Sequence, residues 1–261
     1  PFGRPDRALQ DMYTQAHHGK PIFDGHLSRD VVHFPPESIP PLQAIDRLES
    51  RTDIVSLTAA QQIQLLRGLR LRYLIFHANP RQPDLIAQQV AIARKQLGSL
   101  TQVYSDTELI AYEVDQVAAW LASEPERVPL PLFVGLDIGW EPLEIGAQGW
   151  SRWLPEPGAT LWVHAPTAQR VRLILRLYHL GPEPLPLDVT LNRAVPQRVL
   201  VAGGQQVREV QLLLDLRRGA NQVDLFTPAA GVSPLSLGLS DDARRLTFNI
   251  KAITVQELGG E

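Results

Sequence analysis

The 261-residue sequence contains no cysteine, a single methionine and only three lysines, and its hydrophobic runs are short. The absence of cysteine excludes disulfides, thiolate nucleophiles and cysteine-ligated zinc. A membrane-spanning helix needs about 20 apolar residues in a row, and no hydrophobic run in the sequence approaches that length. Positive charge is not in excess either, because the formal net charge is −3. Proteins that bind nucleic acid concentrate lysine and arginine, so the composition argues against nucleic acid as a partner.

The first 124 residues alternate helical periodicity with strand-like runs. Thr58 and Gln61 match a capping box, which predicts a helix over 58–68. Asp84 is placed to cap a second helix, over 85–97, whose apolar residues form one stripe. The prolines between residues 34 and 42 predict an extended connector without regular structure.

Other elements of this half follow from the same patterns. Short helices are predicted at 6–16 and 115–123, and strands at 71–77, 100–104 and 108–114, the last two as a hairpin. Residues 1–124 are therefore predicted to form a small α/β domain with an N-terminal loop region. The chain length and a hydrophobic content of 44% leave enough apolar residues for a second packed domain.

From residue 125 onward the helical period disappears and short apolar strands recur between Gly, Pro and Asn residues. Several alternate apolar and polar residues, as an antiparallel sheet with one buried face requires. The predicted strands are 132–137, 160–165, 170–178, 187–192, 198–201, 207–216, 222–226 and 246–256. Residues 125–261 are therefore predicted to form an antiparallel β-sandwich with jelly-roll-like topology, which makes the fold class α+β overall.

Histidines and charges are concentrated between Tyr13 and Arg29. His17, Asp24 and His26 are weak candidates for metal ligands, since imidazole and carboxylate bind divalent metals, but their spacing matches no metal motif. Hydrogen bonding within the loop is the favoured interpretation of the histidines. Lys20, Arg29 and His18 are candidates for binding phosphate or another anion, with ion pairs to nearby carboxylates as the alternative.

Four of the five tryptophans fall in a short span of the second half. Trp150 and Trp153 flank Ser151-Arg152 near a predicted loop, so these residues, with Trp140, are candidates for stacking on and bonding to a glycan. Arg152, which lies between the two tryptophans, is counted with these candidates. The alternative is that the aromatic rings fill the sandwich core or its seam with the first domain.

No complete catalytic site is visible. Glu141 and Glu144 resemble the acid and base of a glycosidase only superficially, and no Gly-x-Ser-x-Gly elbow supports a triad of Ser28, His26 and Asp24. The aspartates at 241 and 242 suit either calcium or a tight turn. We expect neither a cofactor nor hydrolase activity.

Two motifs resemble a known family. Gln15-Ala-His-His-Gly-Lys-Pro21 and Gly25-His-Leu-Ser-Arg29 resemble the segment that follows the last membrane helix of bacterial GT-C-type polytopic glycosyltransferases, the protein O-mannosyltransferase-like group. Residues 70–77 and 103–112 are similar to the α/β unit that follows in those proteins. Gly149-Trp-Ser-Arg-Trp153 and residues 242–248 are similar to parts of a carbohydrate-binding-like β-sandwich tail.

The resemblance implies an extracytoplasmic, membrane-tethered region whose partner is the membrane-embedded remainder of the same polypeptide. It also implies that the transferase site lies in that remainder, and because the chain starts at Pro1 we expect further sequence upstream. The expected role is non-catalytic: glycan or acceptor recognition, or packing on the membrane part. Alternatives are an autonomous carbohydrate-binding surface protein and a structural module that binds protein, including its own copies as a homo-oligomer.

Overall fold

The computed structural model describes residues 39–49, 53–55, 57–77, 82–123, 128–146 and 149–258. The helix predicted at 6–16 lies outside these residues. None of the helices in the described ranges is both long and apolar enough to cross a bilayer.

The described residues form four α-helices and thirteen β-strands. The helices are α1 (Pro40–Asp46), α2 (Ala59–Leu69), α3 (Leu85–Leu97) and α4 (Asp115–Ser123). The strands are β1 (Tyr73–His77), β2 (Leu100–Ser105), β3 (Leu109–Val114), β4 (Phe133–Leu136), β5 (Glu144–Gly146), β6 (Gly149–Pro155), β7 (Gly158–Ala165), β8 (Gln169–His179), β9 (Leu185–Leu191), β10 (Gln197–Val201), β11 (Arg208–Leu216), β12 (Gly219–Phe226) and β13 (Leu246–Glu257).

The first three strands form one sheet in the order β1-β3-β2. Because β3 pairs antiparallel with both neighbours, β1 and β2 run parallel to each other, and α3 connects them. Asp106 closes the turn between β2 and β3: its Oδ1 accepts the amide hydrogens of Glu108 and Leu109 at 2.7 and 2.8 Å. The predicted hairpin is confirmed.

The two predicted helix caps have different outcomes. At α2 the Thr58 hydroxyl accepts the amide hydrogen of Gln61 at 3.2 Å, and Gln61 Oε1 accepts that of Thr58 at 3.0 Å, so the capping box is confirmed. Asp84 occupies the cap position of α3, but its side chain makes no capping hydrogen bond. Its φ of −83° and ψ of −5° are helical, whereas a capping side chain needs an extended backbone.

The predicted connector between residues 34 and 42 is wrong where it is described. Pro40 and Pro41 are the first two residues of α1 rather than part of an extended loop. Proline is accepted there because the first amide groups of a helix have no intrahelical acceptor, and its fixed φ suits the helix. The residues Pro41 to Ile45 are buried, so this segment is part of the core.

The remaining strands form two five-stranded antiparallel sheets packed face to face. The first sandwich sheet has the order β10-β9-β12-β7-β4, and the second has the order β11-β8-β13-β6-β5. Consecutive strands from β6 to β9 lie alternately in the two sheets. β9 and β10 lie in the same sheet, and the alternation continues from β10 to β13. The predicted fold class, α+β with a jelly-roll-like antiparallel sandwich, is confirmed.

Each half of the chain contributes residues to the apolar core of the other half. Ile54 and Val55 belong to the sandwich core, where Val55 bridges Ile253 and the Ile253 amide donates to the Ile54 carbonyl at 2.8 Å. Phe133 of β4 belongs instead to the cluster of the first half. The predicted boundary between residues 124 and 125 lies outside the described residues and stays a prediction.

Candidate functional site

The outer face of the second sandwich sheet is defined by strand alternation. On β8 the odd-numbered residues from Val171 to Leu177 are fully buried in the core, so the even-numbered residues face outward. On β13 Phe248 and Ile250 are core residues, which turns Asn249 to the same outer face.

Three side chains form a row across this face. Asn249 is paired in register with Trp153 of β6 on one side and with Tyr178 of β8 on the other. The Trp153 and Tyr178 rings meet edge to face, with centroids 5.9 Å apart. Asn249 therefore lies beneath an aromatic pair and is only 2% exposed.

Lys251 completes the cluster from the next outward position of β13, beside a bulge in the β8 pairing. Its ammonium group lies 5.5 Å from the centroid of the Tyr178 ring, a cation–π arrangement. Burial lowers the pKa of Lys251. Among the described residues, no carboxylate lies within ion-pair distance of its ammonium group.

The polar side-chain atoms of this cluster have no hydrogen-bond partner among the described residues. Asn249 Oδ1 is buried without a hydrogen bond, and buried polar atoms of this kind are uncommon in folded proteins. The indole N–H of Trp153, the hydroxyl of Tyr178 and the ammonium group of Lys251 make no hydrogen bond to a described residue. We call Trp153, Tyr178, Asn249 and Lys251 the Tyr178 site. It offers the side-chain oxygen of Asn249 as an acceptor, and each of its four side chains has a group that can donate hydrogen bonds.

Arg244 organises the acidic side of this site. Its guanidinium binds Glu141 at 2.9 Å, Glu144 at 2.7 Å and Asp242 at 2.6 Å. Burial, together with the negative charge of Glu144, raises the pKa of Tyr178. The hydrogen bond from Arg244 lowers the pKa of Asp242.

These contacts show which groups the acidic residues bind. Glu141 and Glu144 both bind the guanidinium of Arg244. Asp242 Oδ1 accepts the amide hydrogen of Arg244 at 2.9 Å, so the turn interpretation of this aspartate is confirmed. In the described part of the chain, no group of three or more metal-ligating side chains is placed to hold an ion.

Arg152 lies on the opposite side of β6 from Trp153 and is 1% exposed. Its guanidinium binds Asp53 at 2.7 Å and Glu49 at 2.6 Å, and it donates to the Glu141 carbonyl at 2.8 Å. Burial opposes the charge, but the hydrogen bonds and charges of Asp53 and Glu49 outweigh it and raise the pKa of Arg152. The guanidinium is therefore occupied by protein groups.

The structure does not bring the four predicted glycan residues together. Trp153 is 7% exposed and lies in the Tyr178 site, whereas alternation places Trp150 on the same side of β6 as Arg152. Trp140 packs against the sandwich core and donates its indole hydrogen to the Thr160 carbonyl at 2.7 Å. Trp150 and Trp153 both belong to β6, a strand that is not among those predicted from the sequence. Glycan binding at the four residues stays a prediction.

The candidates from the first half cannot be placed. His17, His18, Lys20, Asp24, His26 and Arg29 lie outside the described residues. Metal and anion binding by these side chains stays a prediction.

Sequence reasoning missed Asn249 and Lys251 and gave Tyr178 no role. The alternation of β8 turns Tyr178 outward and is visible in the sequence. The pairing of Asn249 with strands about 70 and 95 residues away is not visible, because only the tertiary register brings these residues together.

Comparison with known proteins gives structural neighbours only. No protein-family model and no curated protein matches the chain. A family 35 carbohydrate binding module from an environmental isolate has 14% identity and a TM-score of 0.33, with 49% of this chain and 94% of that chain covered. The CBM36-1 domain of a multidomain xylanase from the hindgut metagenome of Trinervitermes trinervoides has 12% identity and a TM-score of 0.34, covering 48% and 93%.

Longer enzymes also match in part. A ruminal GH26 endo-beta-1,4-mannanase has 12% identity and a TM-score of 0.33, with 45% of this chain covered. This chain spans 21% of that enzyme and 26% of the Podospora anserina GH26-CBM35 beta-(1,4)-mannanase.

Proposed function

We propose that this chain is a non-catalytic glycan-recognition module and that it binds carbohydrate at the Tyr178 site. The observation that carries the proposal is the buried Asn249 Oδ1, which lacks a partner beneath the Trp153 and Tyr178 rings. A sugar hydroxyl is a suitable partner for it, because it donates one hydrogen bond and accepts others.

The rest of the site suits the same ligand class. Sugars combine hydroxyl groups with apolar C–H faces, and the half-buried ring of Tyr178 provides apolar contact beside polar groups. The hydroxyl of Tyr178 and the ammonium group of Lys251 are available to donate to sugar oxygens. A purely apolar ligand would leave these donors and the Asn249 acceptor without partners, at a cost in affinity.

The test is a glycan array followed by titration calorimetry on the binding glycans. We expect wild type to bind, and Tyr178→Ala to lose about tenfold or more in affinity, because stacking and a hydrogen bond of about 1 kcal/mol each are removed. Tyr104→Ala is the matched control, since Tyr104 is an exposed tyrosine of β2, outside the sandwich.

The Trp150→Ala variant distinguishes glycan binding at the Tyr178 site from glycan binding at Trp150. We expect it to leave affinity unchanged, because Trp150 lies on the other side of β6. Absence of glycan binding by wild type, or equal affinities for wild type and Tyr178→Ala, would remove the proposal.

We also propose that the chain is the extracytoplasmic accessory region of a GT-C-type membrane glycosyltransferase-like protein. The segments 15–21 and 25–29 support this through their resemblance to that family. The test is the upstream coding sequence, where we expect several membrane-spanning segments. A simple signal peptide there would instead favour an autonomous carbohydrate-binding surface protein.

A further inference from the structure

Building on the proposed function, we infer that the ligand is an anionic polysaccharide that lies along β8, with its acidic groups opposite Lys251, Arg176 and Arg172. This defines a second part of the binding surface and the chemical class of the ligand.

We call the row of outward residues on β8 from Tyr178 to Arg172, together with Lys251 of β13, the strip. Beyond Tyr178 these are Arg176, Ile174 and Arg172, of which Arg176 is exposed and the other two are half-buried. At about 3.3 Å per residue, the distance from Tyr178 to Arg172 is about 20 Å. This length accommodates an oligosaccharide segment rather than one sugar.

The neighbouring strand leaves the arginines uncovered. Ala252 of β13 is paired with Arg176, and Gln256 is paired with Arg172. Neither residue carries a charge, and alanine has no side chain long enough to cover a guanidinium. An acidic group can therefore approach both arginines from the β13 side, and arginine binds carboxylate or phosphate through two parallel hydrogen bonds.

The positive charge of the strip is not neutralised within the described residues. Lys251, Arg172 and Arg176 make no ion pair with them. Glu209 of β11 is paired in register with Arg176, but its Oε1 accepts from Gln211 Nε2 at 2.6 Å. The three cations and this single carboxylate leave the strip net positive.

At both ends of the strip, the neighbouring arginines are paired with carboxylates. Arg170, the next outward residue of β8, pairs with Asp215 at 2.7 Å. Beyond Tyr178, the guanidinium of Arg244 is surrounded by three carboxylates. Among the outward residues of β8, unpaired positive charge is thus confined to the stretch that starts at the aromatic and amide groups of the Tyr178 site, which favours a sugar polymer over other polyanions.

The test measures affinity for soluble polymers at 50 and 300 mM salt. Polygalacturonate, dextran sulfate and a teichoic acid present carboxylate, sulfate and phosphate, and thus identify the acidic group; a neutral mannan is the comparison. We expect wild type to bind at least one anionic polymer roughly tenfold more tightly than mannan at low salt, and this preference to shrink at high salt.

The double variant Arg172→Gln, Arg176→Gln should lower affinity for the anionic polymer roughly tenfold, as expected for two exposed ion pairs. Binding of mannan should not change. The matched control is Arg94→Gln, Lys95→Gln, which removes two exposed cations from α3 and should have no effect.

The outcomes separate the inference from the proposed function. Equal binding of neutral and anionic polymers, with no effect of the double variant, would overturn the inference and leave glycan recognition standing. Loss of all polymer binding in Tyr178→Ala supports the proposed function. Binding to phosphatidylglycerol vesicles but to none of the polymers would overturn both.

Discussion

Arg152 and Asp53 are joined by three hydrogen bonds across a sequence separation of 99 residues. Arg152 Nε donates to both oxygens of Asp53, at 2.8 and 3.0 Å, and Nη2 donates to Oδ2 at 2.7 Å. With Glu49 bound to the same guanidinium, this ion cluster attaches the segment before α2 to the sandwich.

Removal of the buried guanidinium of Arg152 should lower the free energy of unfolding. Arg152→Ala removes the guanidinium that binds both Glu49 and Asp53, so we expect a loss on the order of 3 kcal/mol in the free energy of unfolding. Urea denaturation followed by tryptophan fluorescence measures it. Arg170→Ala breaks an exposed pair with Asp215 and should cost less than about 1 kcal/mol. Similar losses for the two variants would show that burial of Arg152 does not matter energetically.

The pKa of Glu49 predicts how the free energy of unfolding depends on pH. Burial raises its pKa above the ordinary value despite the opposing charge of Arg152. A carboxyl group with a raised pKa in the folded state binds its proton more tightly there, so its contribution to stability is greatest below the unfolded pKa and declines as the pH rises through the folded one.

The Glu49 prediction is tested by comparing wild type with Glu49→Gln. The unfolding free energy of wild type minus that of the variant should be larger at pH 4 than at pH 7. A difference that grows with pH would mean that the ion pair, rather than burial, dominates this carboxyl group.

Phe133 connects the two cores and should behave as a core residue of the first half. It is 1% exposed and stacks on His164, with ring centroids 5.5 Å apart. Phe133→Ala should lower the unfolding free energy by about 3–5 kcal/mol because it leaves a cavity. Ile138→Ala, at a residue that is 73% exposed just after β4, should change it by less than about 0.5 kcal/mol. Thermal unfolding of both variants checks the contrast.

Asn249 should contribute to binding without contributing to stability. Because its Oδ1 already lacks a partner, Asn249→Leu should leave the unfolding free energy unchanged or raise it by up to about 1 kcal/mol, while glycan affinity falls. Asn221 is the contrast: it is fully buried, its Oδ1 accepts from Asn192 and its Nδ2 donates to the Arg217 carbonyl. Asn221→Leu should cost about 2–3 kcal/mol. Equal losses at the two positions would show that Asn249 has an unrecognised structural partner.

The sequence predicts what depends on nearby residues. The capping box at Thr58 and Gln61 and the turn at Asp106 are complete within four residues, and both are confirmed. Alternation along β8 predicts its two faces for the same reason. The prediction at α1 is wrong because the rule against proline applies to helix interiors and not to the first turn.

The residues of β6 show why the rest could not be predicted. Four consecutive residues, 151–154, are buried, so the apolar and polar alternation of a half-exposed strand is absent. Arg152 is covered by carboxylates that come from residues 49 and 53, and Trp153 is covered by Tyr178. The burial of Arg152 and Trp153 is therefore not visible in the sequence, because it depends on partners far away along the chain.

The two faces of β6 also determine which changes of length this strand can accept. Arg152 and Trp153 are neighbours with opposite surroundings, one among carboxylates and the other in an aromatic pair. A single deleted residue between Gly149 and Arg152 would place the indole of Trp153 among Glu49 and Asp53, and a single inserted residue would place the guanidinium of Arg152 under Tyr178. Relatives that retain both features should therefore vary in length in the β5–β6 turn by loop extension, and never by one residue within the strand.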